Sequence, residues 1–358
     1  MLCKDVVEKA LAQAEATAEH SWEYATVFEA LLEYGYPALS IFHSPFPDDD
    51  IPVLDPEKNA ALHYVQRFIR TNSDRLCEGN GSSSDPASLG IPALLLSKIS
   101  PVYFEAATRQ LNDLLQNVPR HPNGAISHRV AEASIWADFI YMVPPFFAYY
   151  GVFTDNIGHV HEAVRQCELY RDILKTESGP WKHIVNAEGT EPDLKTDPGL
   201  WSTSNAWAAA GMARVLATIQ KSKYAAQMKS EQDSLVHMTK EIIDGAIKFD
   251  TDDSGLLRNY LDDDSWFGEV AGTALLAAAT FRIAVLALGS FEVKHTDWAQ
   301  RKVEIVSNFV DANTGIAAPV VNSLSEGQRT PLNGINPEGQ AFVVLLYAAW
   351  RDWKSQYQ

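Results

Sequence analysis

The chain has 358 residues, of which 46% are hydrophobic and 21% are charged, so it can bury a large core and is not globally disordered. Its formal net charge of −17 argues against nucleic acid and anionic membrane surfaces as partners. The three cysteines, Cys3, Cys77 and Cys167, are odd in number and lack paired spacing. Neither a disulfide framework nor a metal site is therefore expected.

The N-terminal segment gives no indication of export or membrane insertion. Charges at Lys4, Asp5, Glu8 and Lys9 leave no apolar core for a signal peptide. No stretch contains about 18 uninterrupted apolar residues, the length needed to span a membrane. We therefore expect a soluble protein of the cytoplasm, with no membrane partner.

Apolar residues recur at helical spacing along the whole chain. The first such pattern consists of Val6, Ala10, Leu11 and Ala14. Alternating, strand-like stretches are short, and Gly315–Val321 is one of them. Further helices are predicted at 24–35, 55–71, 87–98, 102–117, 129–143, 158–175, 204–220, 224–248, 269–289, 294–309 and 338–355. This count of about twelve predicts an all-α protein.

Long loops rich in Gly, Pro, Asp and Asn recur about six times between the predicted helices, which indicates paired helices that stack as hairpins. Two segments, Ala206–Ile219 and Val270–Leu288, are apolar on more than one face, as is typical of helices buried between neighbours. An inner ring of such helices inside an outer ring of amphipathic ones predicts an α/α barrel. No interdomain linker is evident, so residues 1–358 are expected to form one domain.

Asp138 is the most conspicuous candidate for chemistry, because it lies within the aromatic and aliphatic stretch Ser134–Gly151. A lone carboxylate in such a setting is costly to bury without a partner. An apolar environment also favours the protonated form of a carboxyl group, which suits a general acid. On the predicted helix 129–143, Asp138 would share a face with Ser134, Ile135 and Met142, close to a helix end at Pro144. The alternative interpretation is a hydrogen-bonded structural aspartate.

A second segment combines polar and aromatic residues. Gly179–Ala213 carries Trp181, Lys182 and His183 in a loop, followed by Trp201, Asn205 and Trp207 at a predicted helix start that Ser202 or Thr203 could cap. This pattern suits a hydroxyl-rich or carboxylate-bearing ligand, or simply a capped helix with two core tryptophans.

Arg120–Arg129 lies just upstream of Asp138 and could form the rim of a pocket, whereas its residues lack metal-ligand spacing. Asp85, in the segment Asp85–Gly90, is a predicted helix N-cap. Nucleotide-binding and zinc-protease motifs are absent, so no cofactor is expected.

Together these segments resemble the unsaturated rhamnogalacturonyl hydrolase family, which is related to the unsaturated glucuronyl hydrolases. The most specific match surrounds Asp138. Weaker matches are the Gly179–His183 segment, Trp22 with Tyr24, and Asp85, and the matching order extends from Trp22 to Trp350. The residues of the specific match are Trp136, Ala137, Asp138, Tyr141, Met142, Pro145, Phe146, Tyr150 and Gly151.

The resemblance implies a six-hairpin (α/α)6 barrel and a glycoside hydrolase that acts on a small oligosaccharide without a cofactor. It implies release of a terminal 4,5-unsaturated uronic acid from pectin-derived, rhamnogalacturonan-type oligosaccharides by hydration of the C4=C5 bond. Asp138 would serve first as acid and then as base toward water. The residues expected to bind the substrate are Asp85, Trp136, Met142, His183, Trp201, Asn205 and Trp207.

One segment departs from the family pattern Trp-x-Arg-Gly-Asn-Gly-Trp. Here Trp201, Asn205 and Trp207 are kept, whereas the arginine and both glycines are replaced. Arg120, Arg129 and Lys182 are the candidate replacements for the missing carboxylate partner. Two alternatives stay open, namely acid-catalysed chemistry on a non-sugar molecule on the same scaffold and a non-catalytic ligand-binding protein.

Overall fold

A computed structural model of the chain describes residues 2–191 and 193–357. In this part of the chain, thirteen α-helices and four short strands are joined by loops and short 3-10 helices. The helices are α1 (Lys4–Thr17), α2 (Ser21–Gly35), α3 (Ala60–Val65), α4 (Gly90–Ser97), α5 (Pro101–Gln116), α6 (Phe139–Met142), α7 (Pro144–Phe153), α8 (Ile157–Leu174), α9 (Ser202–Gln220), α10 (Lys229–Lys248), α11 (Val270–Leu286), α12 (Val293–Asn308) and α13 (Pro337–Tyr357). The strands are β1 (Ser134–Trp136), β2 (Ile184–Asn186), β3 (Leu257–Arg258) and β4 (Gly268–Glu269), with β1 antiparallel to β2 and β3 antiparallel to β4.

Six helical elements form a closed inner ring. In order around it, α2 contacts α13, α13 contacts α11, α11 contacts α9, α9 contacts α7, and α7 contacts α4. The ring closes where the 3-10 helix Asp85–Leu89, which leads directly into α4, packs against α2. Outer helices α1, α3, α5, α8, α10 and α12 alternate with the inner elements along the chain, and each packs on an inner helix. The predicted all-α barrel of six helical hairpins is confirmed.

The inner helices are buried on all sides, as their composition predicts. Every residue of α9 from Ser202 to Ile219 is buried, as is every residue of α11 from Val270 to Ala284. Small side chains allow these helices to approach one another closely. At Gly211, a Cβ atom would lie 2.2 Å from the carbonyl oxygen of Ile140, so any larger residue would displace α6.

The outer helices are amphipathic and bury only one face. In α5, for example, Ala106, Ala107, Leu111 and Leu114 are buried and face the ring. This spacing places them on one stripe of the helix, while the opposite side faces solvent.

The region around Asp138 differs from the predicted helix 129–143. Residues Ser134–Trp136 form strand β1, and helical structure begins only at Phe139. Asp138 therefore precedes a helix, rather than lying within one and sharing a face with Ser134 and Met142. The helix also breaks before Pro144, which has no N–H to donate and begins α7. The prediction was wrong because β1 is held by pairing with β2, about 50 residues later in the chain, and such distant pairing has no signature in the local sequence.

Other predicted boundaries also shift. The predicted helix 55–71 is a 3-10 turn, the six-residue α3 and a second 3-10 turn, and the predicted helix 224–248 begins only at Lys229. Gly315–Val321 is not a strand, although Ala317 forms a single bridge to Val310. Within the described ranges, no helix is both long enough and apolar enough to cross a membrane.

Candidate active site

A cavity of about 240 Å³ opens at the end of the barrel where the inner helices begin. Five of the six inner elements contribute a residue from their first turn or from the segment just before it. These residues are Trp22 of α2, Asp85 before α4, Asp138 before the short helix α6 that leads into α7, Trp201 before α9 and Glu338 of α13. The remaining lining residues are His20, Gly79, Asn80, His128, Arg129, Trp136, Met142, His183, Lys195, Trp207, Ser323, Leu324 and Glu326.

Backbone pairing between β1 and β2 sets the position of Asp138. Trp136 pairs with Ile184, and the N–H of Ala137 donates to the carbonyl oxygen of His183 at 3.0 Å. As a result, Oδ2 of Asp138 lies 3.4 Å from Nε2 of His183. The Asp138 side chain is 13% exposed, and its Oδ2 is buried without a hydrogen-bond partner of good geometry. Oδ2 of Asp138 is therefore shielded from solvent and faces the imidazole of His183.

His183 is held from its other side by Asp197. Its Nδ1 lies 2.9 Å from Oδ2 of Asp197, which also accepts a hydrogen bond of 2.5 Å from the hydroxyl of Tyr260. Burial alone would disfavour the imidazolium, but the carboxylates of Asp138 and Asp197 outweigh it and raise the pKa of His183 to about 9. His183 is therefore a cation at neutral pH, fixed between two carboxylates.

Asp85 is a second carboxyl group in the cavity. Burial, reinforced by the negative charge of Asp138, raises the pKa of Asp85 to about 7 in spite of its hydrogen bonds with Ser82 and Ser84. Its neighbour His128 has Nδ1 2.7 Å from Oγ of Ser84, and burial lowers the pKa of His128 to about 3. At neutral pH Asp85 is therefore about half protonated, and His128 is a neutral imidazole.

Aromatic rings and cations form the walls around these groups. Trp136 stacks on His128 with ring centroids 4.5 Å apart, and Trp201 lies 4.6 Å from His183. The guanidinium carbon of Arg129 and the ammonium nitrogen of Lys195 lie 5.9 Å and 5.1 Å from the centroid of Trp136. The side of the cavity formed by Trp136 therefore combines a planar indole ring with two positively charged groups.

The structure brings most of the sequence-predicted site residues together in this cavity. Those that line it are Asp138, Asp85, Trp136, Met142, His183, Trp201, Trp207 and Arg129. Asn205, Arg120 and Lys182 do not line it.

Each of these three residues has a structural setting elsewhere. The amide of Asn205 is fully buried, accepts from the N–H of Trp181 at 2.7 Å and donates to the carbonyl oxygens of Trp181 and Trp201. Arg120 donates to the carbonyl oxygens of Leu115 and Gly124 in a separate surface groove. The backbone N–H of Lys182 donates to the carbonyl oxygen of Leu174, which places this residue behind the cavity wall.

Two predicted helix caps are also corrected. Trp201, without a side-chain cap, precedes α9, and Ser202 is the first helical residue and donates to Oε1 of Glu269 at 2.9 Å. Asp85 begins the 3-10 helix Asp85–Leu89 instead of capping it, because Ser84 occupies the cap position. The side chain of Asp85 is thereby free to line the cavity.

Sequence analysis missed several residues of the site. Asp197 and Lys195 lie in the loop between β2 and α9, Glu326 lies in the loop before α13, and Glu338 lies in the first turn of α13. All come from segments that precede an inner helix, which is the shared signal that could have identified them. Lys195 pairs with Glu326 across the mouth of the cavity.

A possible metal-ligand group lies next to the cavity, although no metal site was expected. Ligand atoms of His183, Asp197 and Glu326 lie within 4.8 Å of one another. Each carboxylate already has a partner, since Tyr260 and His183 bond Asp197 and Lys195 bonds Glu326. The charge of Lys195 and the protonated state of His183 at neutral pH both oppose a metal ion here.

The chain was compared with known proteins. Residues 56–350 match the model of Glycosyl Hydrolase Family 88. A relative, the unsaturated rhamnogalacturonyl hydrolase YesR of Bacillus subtilis (strain 168), is 24% identical over 290 residues, which cover 74% of this chain and 76% of YesR.

Solved structures share the fold at low identity. A family 105 glycoside hydrolase of C. acetobutylicum ATCC 824 superimposes with a TM-score of 0.74 at 15% identity, over 98% of this chain and 99% of that one. The unsaturated glucuronyl hydrolase of Bacillus sp. GL1 gives a TM-score of 0.67 at 12% identity, over 97% and 96% of the two chains. The family model covers well over half of the chain, including every segment from Asp85 to Glu338 that builds the cavity. This chain therefore belongs to Glycosyl Hydrolase Family 88 and is a glycoside hydrolase.

Proposed function

We propose that this enzyme releases a terminal 4,5-unsaturated uronic acid from pectin-derived, rhamnogalacturonan-type oligosaccharides by hydrating the C4=C5 bond. The observation that carries the proposal is the position of Asp138, whose carboxyl group lines a cavity with aromatic walls and lies 3.4 Å from a protonated histidine. The similarity to YesR, an unsaturated rhamnogalacturonyl hydrolase, supports this substrate class.

In the proposed mechanism, a single carboxyl group of the enzyme, that of Asp138, exchanges protons with the substrate. Asp138 transfers a proton to C4 of the unsaturated sugar, and positive charge develops at C5 beside the ring oxygen. The resulting Asp138 carboxylate then removes a proton from water, whose oxygen bonds to C5. The hemiketal that forms opens and the bond between C1 and the remaining sugar breaks, while the proton taken from water stays with the pair of carboxyl groups formed by Asp138 and Asp85. General acid–base assistance of this kind contributes about 10²–10⁴-fold to a rate.

The raised pKa of Asp85 explains why a carboxyl proton remains in the cavity near neutral pH. With a pKa of about 7, raised by burial and by the charge of Asp138, Asp85 retains a proton that the pair of carboxyl groups can share. His183 then keeps the ionised form of Asp138 stable after the proton has gone to C4. The two carboxyl groups of the cavity thus have different roles because their environments differ: Asp85 retains a proton, whereas His183 stabilises the ionised form of Asp138.

The cationic wall suits the carboxylate that a uronic acid carries next to C5. Arg129 and Lys195 both lie within 6 Å of the centroid of the Trp136 ring. We propose that Arg129, assisted by Lys195, replaces the arginine missing from the Trp201–Trp207 segment. Apolar faces of the sugar would lie against Trp136 and Trp201.

The proposal is tested by incubating the protein with unsaturated galacturonyl–rhamnose and unsaturated glucuronyl disaccharides. Hydration removes the conjugated double bond, so the ultraviolet absorbance falls as the second sugar is released. We expect faster loss with the galacturonyl–rhamnose substrate, and the saturated disaccharides serve as controls that should stay intact. Turnover of neither unsaturated substrate would favour the alternative that the scaffold performs acid-catalysed chemistry on another molecule.

A further inference from the structure

Glu338 is a buried carboxyl group that the reaction proposed above does not use. It lies in the first turn of α13, is 1% exposed and lines the same cavity as Asp138. Its Oε2 accepts a hydrogen bond of 3.0 Å from the indole N–H of Trp22. Its Oε1 is buried and has no hydrogen-bond partner among residues 2–191 and 193–357.

The bond to Trp22 determines what the other oxygen can do. An indole N–H only donates, so Oε2 of Glu338 must act as the acceptor. In a neutral carboxyl group the proton would then reside on Oε1, the oxygen without a partner. A buried polar atom that stays unpaired destabilises the protein, which favours a ligand that satisfies it.

The surroundings of Glu338 favour the neutral form. Burial comes first, and the charges of Glu23, Asp138 and Glu269 add to it, so that the pKa of Glu338 is well above its usual range. The start of α13 would by itself favour the ionised form. The N–H of Gly339, however, donates to Oδ1 of Asn336, leaving the indole of Trp22 as the donor to Glu338.

The same contact makes Trp22 part of the binding surface. Trp22 lines the cavity and stacks on His20 with ring centroids 4.6 Å apart. Its ring orientation is therefore fixed by His20 on one side and by Glu338 at the indole nitrogen. A sugar packed against Trp22 would bring its ring oxygens and hydroxyl groups toward Oε1 of Glu338.

We propose that Glu338 is a specificity-determining residue whose Oε1–H donates a hydrogen bond to an oxygen atom of the bound sugar. This inference rests on the proposed function for the identity of the sugar, but not for the hydrogen-bonding state of Glu338. Because Glu338 acts as a protonated hydrogen-bond donor in this proposal, it does not bind an ammonium group, such as that of an amino sugar, as an ionised carboxylate would.

Two substitutions at Glu338 separate these possibilities. Glu338→Gln keeps an acceptor for Trp22 and an N–H donor toward the cavity, whereas Glu338→Met keeps the approximate size but removes both. The probe is unsaturated galacturonyl–rhamnose. We expect the Glu338→Met variant to have a KM raised roughly tenfold or more with little change in kcat, and the Glu338→Gln variant to have a KM within about threefold of the parent's. Glu304→Gln and Glu304→Met are the matched controls and should leave KM unchanged, because Glu304 is exposed on α12 and does not line the cavity.

Infrared spectroscopy of the unliganded protein tests the same claim without turnover. The difference spectrum between the parent and Glu338→Gln at neutral pH should show a protonated carboxylic acid band that the variant lacks. Absence of that band overturns the inference, as does a Gln variant impaired as strongly as Met or a Met variant with unchanged KM. If the parent hydrates no unsaturated uronide, the proposed function fails, and the infrared result still decides the state of Glu338.

Discussion

Oδ2 of Asp138 lies 3.4 Å from Nε2 of His183, and two paired backbone segments set this distance. Antiparallel pairing of β1 with β2 aligns Ala137 with His183, and the loop that follows β2 brings Asp197 back to Nδ1 of the same ring. The histidine thus carries a positive charge between two fixed carboxylates. This arrangement leads to specific expectations about activity and stability.

Activity should depend on a proton that Asp85 retains. Because the pKa of Asp85 is about 7, the proton is present below that pH and is lost above it. We expect kcat/KM to fall as pH rises through about 7, and we expect Asp85→Asn to abolish or displace this alkaline limb. The pH–rate profiles of both proteins provide the measurement. An unchanged alkaline limb in the variant would assign the titrating group elsewhere.

The charge on His183 should stabilise the fold over a defined pH range. Its pKa is about 9 in the folded protein against an ordinary value of about 6.5, so the stabilisation is complete below about pH 6.5 and is lost as pH rises through 9. This difference between the two pKa values corresponds to a contribution of about 3 kcal/mol to the free energy of unfolding.

His183→Asn provides the comparison, because its amide can still donate to Asp197. Urea unfolding at several pH values should show the parent losing stability between pH 7 and 9.5 more steeply than the variant. Asp85 has little influence in this window, because it is ionised in both folded and unfolded states above its pKa. Parallel curves for the two proteins would contradict the assigned charge.

Removal of the cations on the Trp136 wall should weaken substrate binding. We expect Arg129→Ala to raise KM for unsaturated galacturonyl–rhamnose roughly tenfold, because a charge-assisted hydrogen bond is lost. Lys195→Ala should have a smaller effect, since its side chain is 46% exposed and already paired with Glu326.

Arg120→Ala and Lys182→Ala are the matched controls for this test, because neither residue lines the cavity. Steady-state kinetics at low and high salt would separate specific contacts from general screening. A KM that rises with Arg120 or Lys182 removal, but not with Arg129 removal, would place the substrate carboxylate somewhere else.

Helical periodicity, recurring loops and helices that are apolar on more than one face predicted an α/α barrel, and the family resemblance implied its six hairpins. The all-round apolar composition of α9 and α11 indicated inner helices, and both are buried as expected. The aromatic setting of Asp138 likewise indicated the residue that lies in the cavity with Trp136 and Met142. These features depend on local composition, which a single sequence displays directly.

Features that depend on distant pairing were not predictable in the same way. The pairing of Ser134–Trp136 with Ile184–Asn186 and the approach of Asp197 to His183 depend on how loops fold back. Asn205 seemed a ligand contact from its position between two tryptophans, whereas its amide holds the backbone of Trp181 and Trp201. The hydrogen bond between Glu338 and Trp22 was not predictable either, because the two residues are 316 positions apart along the chain.

The central claim is that the Asp138 carboxyl group donates the proton to C4, and one comparison tests it most directly. The initial rate of ultraviolet absorbance loss is measured with unsaturated galacturonyl–rhamnose for the parent, for Asp138→Asn and for Asp172→Asn, an exposed aspartate of α8. The account predicts that Asp138→Asn stays folded by circular dichroism and loses about 10²–10⁴-fold in kcat, while Asp172→Asn matches the parent. A folded Asp138→Asn enzyme with near-parental kcat would contradict it.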